Sequence, residues 1–248
     1  MKPTAPAPDE PPQTNTDKHR QTQTPGVQNR SVFVRVLPWL LIGSVALALR
    51  LYGLRYGLPA VYNPDEVAIM SRALAFAKGD LNPHNFLYPS FYFYLLFAWE
   101  GLTAVLAVAT RAVDSFGAFQ REFFVDPTRV FVAGRLLSAL LGTATVIATG
   151  LLGARLPLQV VGPIAALLLA VAPLHVLNSH YVKHDVPVTF LIVLAYLAYD
   201  RLWRIPPEAS NLPPEGGNYR STEGVAGQLP LVTAAAITGV AFSTHYYA

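Results

Sequence analysis

The chain of 248 residues contains no cysteine, and charged residues make up only 13% of it. The absence of cysteine excludes disulfide bonds, thiolate metal sites and cysteine nucleophiles. The charged fraction is about half that of an ordinary soluble domain, while 52% of the residues are hydrophobic and the mean hydropathy is +0.36. This composition excludes a disordered protein and argues against a soluble globular enzyme.

Features of nucleic-acid and nucleotide binding are also missing. The net charge of +3 does not predict a nucleic-acid partner, because the basic residues are scattered and many border apolar runs, where cations anchor membrane helices. The chain has no GxxxxGK[ST] loop and no GxGxxG segment after a strand, so neither a nucleotide-driven pump nor a dinucleotide-binding fold is supported.

Long apolar runs predict an all-α, polytopic integral membrane helical bundle. A spanning helix needs about 20 predominantly apolar residues. Within one module over 33–248, the apolar runs place spans at about 33–55, 130–154, 156–178, 186–203 and 229–248. A cleaved signal peptide is the rival interpretation of the first run, but a long polar stretch precedes that run, which argues for an anchoring helix.

Residues 1–32 are predicted to be a disordered tail, because Pro, Thr, Gln and Asn dominate them and little can be buried. The tail carries several basic residues and few acids before the first apolar run. By the positive-inside tendency, this bias predicts a cytoplasmic N-terminus.

The segment 88–110 decides the topology of the loops. It is apolar enough to span, but Glu100 lies within it and its first half is rich in aromatic residues, which prefer the headgroup region. An ionised glutamate at the bilayer centre is costly, so we expect juxtamembrane helices at about 64–78 and 88–110. Loops 53–130 and 179–185 then lie on the same, extracytoplasmic side, whereas a full crossing would put them on opposite sides.

The first loop carries two adjacent acids at the start of a predicted helix. Asn63 is expected as the N-cap and Pro64 as the first helical residue, with Asp65 and Glu66 in the first turn. In the structural interpretation, the acids complement the helix dipole and Glu66 closes a capping box with Asn63. In the functional interpretation, Asp65 is a general base for an acceptor hydroxyl, and Glu66 orients that hydroxyl or binds a cation.

A second cluster of ionisable residues lies between two predicted spans and contains His180, Lys183, His184 and Asp185. Such a cluster suggests a functional site, although interfacial anchoring with Asp185 paired to Lys183 explains it equally well. The two histidines are four residues apart, the spacing of one helical face, but no third zinc ligand is evident. Arg135, at the start of a span, is either an interfacial anchor or a phosphate clamp with a fixed fork of donors.

The order of several segments resembles a known family. These segments are Leu49–Leu54, Pro64–Glu66, Lys78–His84, Tyr88–Ser90, Gly134–Gly142 and Ser179–Pro187. Over residues 36–248 the chain is similar to membrane glycosyltransferases of the GT-C type, in the branch of dolichyl-phosphate-mannose protein mannosyltransferases and their bacterial relatives.

This resemblance implies a multi-pass protein of the cell membrane with an extracytoplasmic active site and juxtamembrane helices in the first outer loop. Its donor would be a polyprenyl-phosphate sugar, transferred with inversion to a hydroxyl of a protein, lipid or glycan acceptor. Besides these substrates, membrane lipids are the expected partners, and nucleic acid is not. No cofactor and no metal ligand is assigned, and a divalent cation is left open.

The resemblance also assigns roles to residues. Asp65 matches the family's catalytic carboxylate and Glu66 its acidic neighbour, Arg135 matches the basic residue at the start of the next span, and Asp185 matches the acid of the second outer loop. Since the leaving group would be a lipid phosphate, nearby cations would stabilise its charge. The candidates for phosphate or substrate binding are Arg135, Lys183, Asp185, His84, His180, His184 and Tyr88.

The chain also departs from the family pattern. Tyr88 stands where some relatives carry a lysine before Pro89, and His245 stands where a lysine is common. Relatives are longer, so we expect an N-terminal fragment, and whether it is active or inactive by itself is left open. The alternative functions are a transporter or lipid flippase with a polar path along Asp65, Arg135 and Asp185, and a non-catalytic truncated membrane subunit.

Overall fold

The computed structural model describes residues 25–84, 88, 90–158, 160–204 and 221–244. Most of the predicted tail, Pro89, the Pro/Gly-rich segment 205–220 and His245 lie outside the described residues. The chain divides into two units, residues 1–37 and residues 38–248. Every contact discussed below lies within the second unit.

All regular secondary structure among the described residues is helical, and no strand occurs there. The helices are α1 (Pro25–Leu51), α2 (Pro64–Ala75), a 3₁₀ turn (Phe76–Lys78), α3 (Phe91–Ala109), α4 (Phe116–Val125), α5 (Thr128–Gly153), α6 (Val161–Val171), α7 (Pro173–Asn178), α8 (Asp185–Trp203) and α9 (Ser221–Phe242).

Three of the helices in the described part of the chain, α3, α5 and α8, are long and apolar enough to cross a membrane. Large apolar side chains such as Leu102, Leu106 and Leu168 are exposed on the helix surfaces. Apolar patches of this kind mark surfaces that contact lipid or another protein. The predicted fold class, an all-α membrane helical bundle, is confirmed.

The helices differ from the predicted segments in three places. α1 begins at Pro25, inside the segment predicted to be disordered, and α4 lies in the first loop, where no helix was expected. The predicted span 156–178 consists of two helices, α6 and α7, separated at Ala172, whose backbone is extended. Pro173 explains this break, because proline lacks an N–H and its ring clashes with the preceding helical turn.

Helix α5 is the centre of the second unit and contacts α3, α4, α6 and α8. Its buried face is rich in small residues, among them Gly134, Ser138, Ala139 and Gly142. Small residues allow helices to approach closely within a membrane. Close approach matters for the site described next, because the charged residues of two loops meet at the first turns of α5.

Helix α2 is held against α3 and α5 by its apolar face. Ile69, Met70 and Ala73 are buried in one cluster with Tyr92 and Phe131. The opposite face of α2 stays accessible. The N-terminal turn, which carries the adjacent acids, therefore has a fixed position relative to α5.

Candidate functional site

The first turn of α2 directs its two acids to different environments. The Asn63 side chain accepts a hydrogen bond of 3.1 Å from the backbone N–H of Asp65, so the predicted N-cap is confirmed. The Asp65 side chain is 48% exposed, whereas Glu66 is completely buried. The predicted capping box is wrong, because the Glu66 carboxylate points into the protein and binds other groups.

Glu66 forms a bidentate ion pair with Arg135 of α5. Arg135 Nε donates to Glu66 Oε1 at 2.9 Å and Arg135 Nη2 donates to Oε2 at 2.7 Å. The backbone N–H of Val182 also donates to Oε1, at 2.8 Å. Fork-to-fork pairs of this kind combine strong charge-assisted hydrogen bonds with a defined geometry. One buried carboxylate therefore joins α2, α5 and the loop before α8.

Arg135 also binds protein groups through its Nη1 atom. Its Nη1 donates to the carbonyl oxygens of Leu54 and Tyr56, both at 2.8 Å, and its Cζ lies 5.7 Å from the centroid of the Tyr181 ring. The side chain is only 3% exposed. This geometry gives Arg135 a structural role in place of the predicted phosphate clamp, because an external ligand has little access to the guanidinium.

Lys183 lies at the accessible side of the same junction. Its Nζ is 3.1 Å from Asp65 Oδ2 and 3.9 Å from Asp185 Oδ2. Partial burial lowers the pKa of Lys183, but the hydrogen bond to Asp65 and the charges of both acids outweigh burial and raise that pKa above its ordinary value. We call Asp65, Lys183 and Asp185 the exposed charge cluster.

An aromatic group packs beside this cluster. The buried His184 ring stacks on Tyr88 at a centroid distance of 4.7 Å and meets the edges of Tyr92 at 4.9 Å and Phe93 at 5.4 Å. These contacts attach the residue after Lys183 to the start of α3. His184 and Tyr88, both predicted to bind substrate, thus lie next to the cluster and pack against one another.

The other two predicted histidines make no hydrogen bond or ion pair with Asp65 in the part of the chain that the structure describes. His84 is exposed and its Nε2 is 2.6 Å from Asp80 Oδ2 in its own loop; this hydrogen bond is the main cause of a lowered Asp80 pKa. His180 lies in the turn after α7, and residues 179–184 are not helical. His180 and His184 therefore do not share a helical face, although their spacing would allow one, and both lie in the loop between the two predicted spans. Within the described ranges, no three His, Asp or Glu side chains form a group that could hold a metal.

Arg50, within the segment Leu49–Leu54, is a structural residue to which the sequence analysis assigned no role. It is fully buried, and its Nη1 donates to the carbonyls of Ala46 and Ala170 at 2.9 and 3.2 Å. Its Nη2 lies 2.8 Å from His175 Nδ1. Arg50 thereby holds the ends of α6 and α7, which lead into the second loop; cations favour helix C-termini.

The fold and the site define an all-helical membrane protein in which two loops form a charged junction at the start of one helix. Residues 103–210 match the family model described as dolichyl-phosphate-mannose-protein mannosyltransferase. This match confirms the resemblance noted from the sequence motifs and supports a membrane glycosyltransferase of the GT-C kind. The matched segment contains Arg135, Lys183 and Asp185 and begins after Asp65 and Glu66. Comparison with curated proteins and with solved structures finds no match.

Proposed function

We propose that this chain acts in an inverting glycosyltransferase that moves a sugar from a polyprenyl-phosphate donor to an acceptor hydroxyl on the extracytoplasmic face of the cell membrane. One observation carries the proposal: the accessible Asp65 carboxylate lies 3.1 Å from Lys183 Nζ. Directly beneath them, Glu66 and Arg135 join the two loops through buried hydrogen bonds. An acid and a cation are thus presented together by rigid elements.

Asp65 is the proposed general base. In the transfer, the acceptor oxygen attacks the anomeric carbon from the side opposite the phosphate, and its proton passes to the Asp65 carboxylate. The bond between the anomeric carbon and the phosphate oxygen breaks, and its electron pair leaves with the phosphate. The half-exposed position of Asp65 allows an acceptor hydroxyl to reach it.

Lys183 is the proposed cation for the departing phosphate. Its raised pKa keeps it protonated at neutral pH, and a positioned cation stabilises the charge that develops on the leaving group. Asp185, 3.9 Å away, holds Lys183 only loosely, so a phosphate oxygen can take that place. Glu66 and Arg135 act here as positioning residues, since their polar atoms face one another.

The contact between the two loops supports a surface location for α3. Asp65 precedes α3 and Lys183 follows α7, and their side chains form an ion pair. If α5 crosses the membrane once and α6 with α7 once, a further crossing by α3 would place the two residues on opposite sides. The ion pair therefore favours an α3 that stays on the extracytoplasmic side.

The test uses the full chain in membranes, with radiolabelled mannose on a short-chain polyprenyl phosphate as donor and a serine/threonine peptide as acceptor. The Asp65→Asn variant is expected to lower label transfer at least about a hundredfold while the helical circular dichroism is unchanged. The matched control is Glu122→Gln, another first-loop acid, whose ion pair with Arg129 is 2.9 Å long and lies outside the site; its transfer is expected to equal that of wild type. Wild-type transfer in Asp65→Asn, or none in the wild type, would overturn the proposal.

A further inference from the structure

Three arginines and one aspartate lie where helices α5 and α8 end. Arg155 follows α5, Arg201 lies in the last turn of α8, and Arg204 follows α8. Arg155 Nη1 donates to Asp200 Oδ2 at 3.0 Å, which joins the two segments at this end. The exposed charge cluster lies at the opposite end of α8, because it includes Asp185, the first residue of that helix. We call the three arginines the arginine cluster.

Asp200 positions two of these guanidinium groups. Besides the hydrogen bond from Arg155, both of its carboxylate oxygens accept from Arg204 Nε, each at 2.9 Å. Arg204 Nη2 also donates to the backbone carbonyl of Arg155 at 2.9 Å. The Arg155 side chain is 32% exposed and that of Arg204 is 52% exposed. Two arginines from separate segments are thus held next to one carboxylate, and both stay partly accessible.

The arginine cluster carries an excess of positive charge. The Arg201 side chain is exposed and makes no hydrogen bond or ion pair among the described residues. The described side chains of this region thus combine three guanidinium groups with one carboxylate. Guanidinium groups bind phosphate through paired N–H donors of fixed geometry, and Asp200 already positions two of them. The charge and the donor geometry of the cluster therefore fit a phosphate group.

Large apolar side chains accompany the cluster in both segments. Trp203 is 92% exposed, and Leu156 and Leu158 are 52% and 67% exposed. Tryptophan is enriched where a membrane meets water, and α5 and α8 are both long and apolar enough to cross a membrane. Arginines at the ends of such helices lie at the level of the lipid headgroups. A phosphate attached to hydrocarbon chains therefore fits this setting better than free phosphate does.

We propose that the arginine cluster binds the phosphate of an anionic phospholipid, whose chains lie along the exposed apolar surface of α5 and α8. Side chains on that surface include Leu151 and Tyr196. The cytoplasmic leaflet is rich in anionic lipids, and its negative surface attracts basic residues beside membrane helices. The expected topology places the end of α8 on that side. This site is separate from the proposed transfer reaction and does not depend on it.

The test titrates the purified full chain in a nonionic detergent with dioctanoyl phosphatidic acid and measures bound lipid by native mass spectrometry. Dioctanoyl phosphatidylcholine, whose headgroup has no net charge, is the matched probe, and we expect it to bind at least about tenfold more weakly. The double variant Arg201→Gln/Arg204→Gln is expected to weaken binding of phosphatidic acid at least about tenfold, because each basic residue near the headgroups adds to the attraction.

Two further variants serve as controls. Arg201→Gln removes a side chain without a described partner, so it should fold even if the double variant does not, and we expect about fivefold weaker binding. Arg111→Gln/Arg121→Gln removes the same charge from two exposed arginines of the first loop and should bind like wild type.

Four results would each overturn the proposal. They are equal binding of the two lipids, displacement of phosphatidic acid by inorganic phosphate at the same concentration, wild-type binding by Arg201→Gln, and an equal loss of binding in the first-loop control. The second result would indicate a site for free phosphate, and the last would indicate attraction by net charge alone.

Discussion

Asp65 and Glu66 are adjacent in the sequence, yet their carboxylates occupy opposite environments. Asp65 is 48% exposed and forms an ion pair with Lys183, whereas Glu66 is inaccessible and accepts hydrogen bonds from Arg135 and Val182. The comparison shows how one acidic motif can serve two tasks. The buried acid fixes the junction of the two loops, and the exposed acid is left accessible for chemistry.

Arg135→Leu should have the largest effect on stability. It leaves the Glu66 carboxylate buried without its cation, and the loss of one partner of a buried pair typically costs about 3–5 kcal/mol. Thermal unfolding of the detergent-solubilised chain would measure this loss. The double variant Glu66→Leu/Arg135→Leu, which leaves no unpaired charge, should be less destabilised than the sum of the two single variants. A loss below about 1 kcal/mol for Arg135→Leu would contradict the structural role of the pair.

Gly134→Ala tests the close packing beneath the same junction. An added Cβ would lie 2.7 Å from Met70 Cε and 2.9 Å from Val182 Cγ2, so the end of the Met70 side chain and the side chain of Val182, both fully buried, must move. Such overpacking costs about 1–3 kcal/mol, and unfolding experiments would show it. The control is Gly101→Ala in α3, where the added Cβ meets open space and the higher helix propensity of alanine should make the change neutral or stabilising. Equal effects at both glycines would contradict the packing described.

Lys183→Met should have the smallest effect, at most about 1 kcal/mol, because its ion pairs are accessible to solvent. The pKa of Lys183 is raised in the folded protein above its ordinary 10.5. Its stabilising contribution is therefore complete below that value and is lost as the pH rises through the folded pKa. The stability difference between wild type and variant should be present at pH 8, shrink with added salt, and disappear at strongly alkaline pH. A difference that is independent of pH and salt would contradict this account.

Local signals in the sequence predicted the start of α2 correctly, since a cap and a first-turn proline act on their own helix. Pro173 also indicates the break between α6 and α7, because proline disrupts a helix, although we expected one continuous span there. The environment of Glu66 was not predictable in this way. Its partner Arg135 is 69 positions away, and its third hydrogen bond comes from a backbone N–H in a loop whose conformation no periodicity specifies.

From the order of the motifs, the family resemblance predicted that the two loops contribute to one site. It did not distinguish the roles of the individual charged residues in that site. Arg135 was expected to face a phosphate, and the structure surrounds it with protein acceptors. Lys183 was one of several candidate cations, and only its three-dimensional position beside Asp65 distinguishes it from His84 and His180.

The most direct test compares Asp65→Asn with Glu66→Gln in the same membrane preparation, with sugar transfer per folded molecule and thermal unfolding measured for both. Asp65→Asn is expected to lose transfer at least about a hundredfold and to change stability by less than about 1 kcal/mol. Glu66→Gln is expected to be destabilised by about 3 kcal/mol or more, while its folded fraction still transfers sugar. Wild-type transfer by Asp65→Asn, together with wild-type stability of Glu66→Gln, would contradict the division of tasks between the two acids.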